Sequence, residues 1–100
     1  MTRYSLSILP KAFTALQQAV NRYNLQEVGL GDKFWKLFDA QLQRIVSFPN
    51  SYPSRYPWTR ETPLILPFPY KIIFAIEEKT VIILNIFHSK QHPDKKLPSS

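Results

Sequence analysis

His88, Lys90 and His92 stand together at the end of the most apolar segment of the chain, and Arg60 and Lys71 precede it. An imidazole that titrates near neutrality can take or give a proton, and cations beside it stabilise the charge that develops on a phosphate during transfer. These residue types match phosphodiester cleavage, with Arg60, Lys71, His88 and Lys90 as the catalytic candidates. The competing reading is a solvated strand end with ordinary surface charges. It carries more weight, because charged residues are common where hairpins end and these are not spaced for a shared role.

Other chemistries fall away. His88 and His92 are four residues apart, a spacing that suits a metal on one helix face, but a strand end followed by a turn is the expected setting, with Asp94 the one acidic residue nearby. Glycine occurs only at Gly29 and Gly31, so no glycine-rich phosphate cradle can form, and there is no HExxH spacing. No serine sits in a recognisable nucleophile elbow. No metal, cofactor or small-molecule substrate is expected.

The elements that must position these residues follow from periodicity. Tyr4, Leu6 and Ile8 alternate with Ser5 and Ser7 as a short strand. Pro10 opens a helix, since its missing N–H has no partner in a first turn, and Ala12, Leu16, Ala19, Val20 and Tyr23 continue it to about Asn24. Leu25 to Gly31 is the turn. Asp32 is placed to cap a second helix whose stripe is Trp35, Phe38, Leu42, Ile45 and Val46, widened by Phe34 and Leu37. It must stop before Phe48-Pro49. Prolines from Pro49 to Pro69 forbid a long helix or a central strand and leave Leu64 to Leu66 as the one short strand between them. Tyr52, Tyr56 and Trp58 lie in this connection, and at least two of the three are expected to pack beneath it.

Tyr70 to Glu77 and Thr80 to His88 then form a hairpin. With Glu78 and Lys79 as the loop, Ile76 faces Val81 and Phe74 faces Ile83. One face would hold Ile72, Phe74, Ile76, Val81, Ile83, Asn85 and Phe87, and the other Lys71, Ile73, Ala75, Ile82, Leu84, Ile86 and His88. Both are largely apolar, so Val81 to Phe87 reads as a central strand needing cover on both sides. Two helices can cover one. The other requires the chain's own connection or a partner protein.

A chain of 100 residues with 44% hydrophobic and 14% aromatic residues fits one globular domain that buries roughly two-thirds of its unfolded surface. Thirteen basic against seven acidic residues leave a net charge of +6, which favours nucleic acid, an acidic protein or an anionic surface without choosing among them. There are no cysteines, and no apolar run approaches the roughly 20 residues that span a bilayer. A cytoplasmic protein without a membrane partner is expected, with residues 94–100 a polar, flexible tail.

The order of these elements resembles the RelE/ParE family of bacterial type II toxins over about Tyr4 to Pro93. The resemblance is carried by Leu9-Pro10-Lys11-Ala12, by Gly29 to Phe34, by Ile45 with Phe48-Pro49 and Tyr52-Pro53, by Phe68-Pro69-Tyr70 with Ile72 and Phe74, and by Ile86-Phe87-His88 with Pro93. It implies an α+β fold, a helical hairpin packed on a small twisted antiparallel β-sheet in the order β-α-α-β-β-β, as a single toxin domain over residues 1–93. It also implies a cognate antitoxin, acidic and encoded by an adjacent gene, and a role in growth inhibition or plasmid stabilization. RelE-like members cut messenger RNA on the ribosome, whereas ParE-like members poison DNA gyrase.

Two departures bear on mechanism. The family often has a basic pair before Phe-Pro-Tyr and an arginine two places before the late proline, where this chain has Glu61 and Thr62 after a lone Arg60, and Gln91. The resemblance therefore favours the ParE-like branch and leans away from an enzyme. A ribosome-dependent endoribonuclease is the alternative, and a non-toxic basic nucleic-acid-binding module is third.

Overall fold

The computed structural model describes residues 3–89. Their order is β1 (Ser5–Ile8), α1 (Pro10–Gln26), α2 (Leu30–Ser47), a 3₁₀ turn (Pro49–Ser51), β2 (Ser54–Tyr56), β3 (Thr59–Glu61), β4 (Tyr70–Glu77) and β5 (Thr80–His88). The β-α-α-β-β-β order is that of the expected α+β fold, with the three-residue β2 added at one edge.

Pro10 sits at the start of α1, where its lost N–H costs nothing, and the helix buries Ala12, Leu16 and Ala19. Two alanines among the three let its backbone lie close to its neighbours. The connection to α2 is tighter than Leu25 to Gly31, because α1 runs on to Gln26. Gly29 adopts φ 86, a left-handed conformation that costs glycine nothing. Gly31 is required for a different reason: a Cβ there would lie 2.3 Å from the Val20 carbonyl oxygen. Its N–H donates to Asn24 Oδ1 at 2.8 Å, so α1 itself satisfies a free donor of α2. This corrects the expected cap. Asp32 lies within the first turn, where its charge favours the helix dipole, but makes no capping bond.

The buried stripe of α2 is Phe34, Phe38, Leu42, Ile45 and Val46. Phe34 is fully buried and Trp35, expected in the stripe, is 43% exposed. One residue turns the helix face by about 100°, and both aromatics fit the period, so only packing distinguishes them.

The sheet has strand order β1-β5-β4-β3-β2. β2 to β5 pair antiparallel as expected, but β1 lies parallel to β5, Leu6 opposite Val81 and Ile8 opposite Ile83, so the sheet is mixed. A parallel neighbour needs a crossover of a dozen or more residues, and the helical hairpin supplies much more than that. Leu64 to Leu66 is not the strand of the proline-rich connection. β2 and β3 fit instead into the gaps between Pro53, Pro57 and Pro63, with Pro57 opening the turn between them, a position where its fixed φ is favourable. Ile65 still enters the core, its N–H donating to the Tyr70 carbonyl at 2.8 Å, while Leu64 and Leu66 face out.

Ile76 pairs with Val81 and Phe74 with Ile83, as expected. A bulge at Leu84 of β5, opposite the step from Ile73 to Phe74 in β4, then leaves Leu84 without a partner residue and changes the parity of β5. Ile86 thereby joins Ile72, Phe74, Val81 and Ile83 on the helix-covered face, where Asn85 and Phe87 had been expected. On the opposite face Ile73, Ala75, Ile82 and Leu84 are only partly buried, although Phe87 is 5% exposed.

Candidate functional site

β4 and β5 end together where Tyr70 pairs with His88. The two rings meet edge-on, 4.9 Å apart at 89°. Tyr70 is held from beneath by aromatics that the Phe-Pro-Tyr segment and the helices deliver: Phe34 lies 5.2 Å away and Tyr23 lies 6.2 Å away, and Tyr23 in turn meets Phe68 at 4.8 Å. Burial pushes the Tyr70 phenol above its ordinary value, opposed by the charge of Arg22 and by a hydrogen bond with it. Burial raises Tyr23 as well, assisted by Tyr70. At neutral pH this end of the sheet therefore presents a neutral phenol, a guanidinium and an imidazole. They can hold an anion or orient a proton.

The other candidates are distributed differently. Lys71 projects from the opposite face of β4, where its Nζ donates to Glu61 Oε1 at 3.0 Å, with 20% and 10% of the two side chains exposed. The ammonium is already neutralised by a carboxylate. Arg60 pairs with Phe74, on the helix-covered face, and its Nη1 donates to the carbonyl of Tyr52 at 2.6 Å and to that of Asn50 at 3.4 Å. Tyr70 and Phe74 are four residues apart in β4, so Arg60 and His88 are separated by about 13 Å along the sheet. Among the described candidates, then, Arg60, Lys71 and His88 are not brought together. Lys90, His92 and the 94–100 tail lie outside the described residues.

Glu61 and Thr62, which stand where a basic pair was expected, have structural work here. Glu61 takes the Lys71 ammonium, and Thr62 Oγ1 accepts from the Ile72 N–H at 2.9 Å while the Thr62 N–H donates to the Ile72 carbonyl at 3.0 Å. Both fasten the end of β3 to β4. Arg22, Tyr23 and Tyr70 were not singled out from the sequence as site residues. Arg22 lies on the polar side of an amphipathic helix, a position that gives no chemical signal, whereas the tyrosine of Phe-Pro-Tyr could have been flagged as the residue pairing with His88. Among the described residues no three His, Cys, Asp or Glu side chains are grouped to hold a metal, and no helix is long and apolar enough to cross a membrane.

With this geometry in place, comparison identifies the fold. No protein-family model and no curated protein matches the chain. Solved structures do. A chain of the chromosomal ParDE toxin–antitoxin system of P. aeruginosa superposes with a TM-score of 0.76 at 22% identity, covering 88% of this chain and 98% of that one. The RelBE2 toxin–antitoxin complex of Mycobacterium tuberculosis gives 0.56 at 17% identity, covering 87% and 99%. An E. coli RelE toxin mutant in the free state gives 0.53 at 14% identity, covering 95% and 93%. The chain has the α+β fold of the RelE and ParE toxins, in agreement with the resemblance read from its motifs. Of these three likenesses the ParDE one is the strongest.

Proposed function

We propose that this chain is the toxin of a type II toxin–antitoxin pair, a ParE-like inhibitor that acts on DNA gyrase in the cytoplasm and is neutralised by a cognate antitoxin. The observation that carries the reading is the ParDE superposition over nearly the whole of both chains. The positions of Lys71 and Arg60 support the gyrase branch over the nuclease branch. One cation is bound to a carboxylate, the other braces the 3₁₀ turn, and they project from opposite faces of the sheet. The partly exposed apolar face of β4 and β5, together with the +6 charge, suits an acidic antitoxin.

Tightly controlled expression with and without the adjacent reading frame tests the toxin reading. Arrested growth relieved by the neighbour is expected, and harmless expression of the chain alone would contradict it. The nuclease alternative draws on the RelE likeness and on His88 at the strand end. It requires that Lys71→Ala or His88→Ala abolish killing without unfolding the chain. The gyrase reading expects both variants to kill.

A further inference from the structure

A polar cavity lies at the opposite end of β4 from the Tyr70–His88 pair, and the toxin reading assigns it no ligand. α2 stops at Ser47, and beyond it the 3₁₀ turn and the β2–β3 turn contribute Asn50, Pro57 and Trp58 to the walls. The cavity measures about 290 Å³ and is lined by Asn50, Pro57, Trp58, Arg60 and Ile76 among others. That is at the lower edge of the roughly 300–1,000 Å³ of small-ligand clefts.

Its lining combines an indole, a guanidinium and an aliphatic side chain. Trp58 is 61% exposed, the most exposed of the chain's tryptophans. Arg60 is fixed in place by the carbonyls of Tyr52 and Asn50, yet both bonds come from the same nitrogen, Nη1. No carboxylate of a described residue pairs with it. A guanidinium has five N–H donors in a rigid fork, so this one is oriented, charged and left with donors for an anion. Ile76 supplies an apolar wall beside it. An indole stacks on any nucleobase, and an arginine fork matches a phosphate; together they recognise a planar aromatic group that carries an anion. Inorganic phosphate would leave the indole unused, and a nucleoside would leave the guanidinium unused.

We propose that this cleft binds a single unpaired nucleotide, its base against the Trp58 indole and its phosphate on the free donors of Arg60. The ligand is either a free nucleotide or one residue of a single strand, since the chemistry is the same.

Trp35, on α2, provides an internal control. The ¹⁵N-labelled chain is titrated at low salt with AMP, adenosine, inorganic phosphate, and the hexanucleotides r(A)6 and d(A)6, following the two indole N–H resonances assigned with Trp58→Phe. AMP should move the Trp58 signal saturably and leave that of Trp35 in place, with adenosine and phosphate each about tenfold weaker or more. Arg60→Gln should weaken AMP to the level of adenosine. Hexanucleotides binding about tenfold tighter than AMP identify single-stranded nucleic acid as the source, and equal binding identifies the free nucleotide; either upholds the site. No saturable shift at Trp58, equal shifts at both indoles, or adenosine binding the unaltered chain as well as AMP would overturn it. The last comparison needs no substitution at Arg60, so a loss of folding in the variant does not rescue the proposal.

Discussion

The two faces of the β4–β5 pair are made of nearly the same residues and have different fates. Ile72, Phe74, Val81 and Ile83 are fully buried beneath the helices, whereas Ile73, Ala75, Ile82 and Leu84, one position along in each case, stay partly exposed. Hydrophobic stabilisation follows the area removed from water, so the first set holds the fold and the second holds surface in reserve. An apolar strand thus indicates that cover is needed, and the rest of the chain decides whether that cover is internal.

The largest contrast should come from truncating one residue on each face. Phe74→Ala is expected to cost about 3–5 kcal/mol in urea unfolding, through lost burial and a residual cavity. Ile82→Ala should cost only about 1 kcal/mol, because its area is incompletely buried. Similar losses would mean that the second face is part of the core. Gly31→Ala tests what keeps the first face covered, since the added Cβ would press on the Val20 carbonyl and push α2 from α1. A loss of about 1–3 kcal/mol is expected, by analogy with overpacked sites.

A smaller effect is expected from pH. Burial raises Tyr23, Tyr52 and Tyr70 above 10.0, and Tyr52 and Tyr70 belong to the helix-covered core, with Tyr23 packed against it. Below pH 10.0 all three are protonated in both states and their contribution is complete. As pH rises past 10.0 the unfolded chain releases its protons first, so stability falls. Thermal melts between pH 9 and pH 11 should show this decline, and Tyr70→Phe should reduce it.

Much of this division was legible in the sequence, because periodicity reports which residues seek burial. The two helices, the hairpin and the pairing of Ile76 with Val81 follow from it directly. The exchange of Ile86 for Phe87 was not, since one unpaired residue at Leu84 reverses every later side chain and leaves no mark in composition. Trp35 and Phe34 were likewise interchangeable on period alone. At the candidate site, His88 was legible as a strand-end imidazole. Its contact with Tyr70, the approach of Arg22 and the capture of Lys71 by Glu61 depend on register and tertiary packing.

Gyrase inhibition is tested most directly with purified gyrase supercoiling a relaxed plasmid in the presence of this chain. A ParE-like toxin predicts lost supercoiling with accumulation of cleaved DNA, reversed by adding the antitoxin. Undiminished supercoiling, together with transcripts cut within codons in expressing cells, would contradict it and assign the chain to ribosome-dependent RNA cleavage.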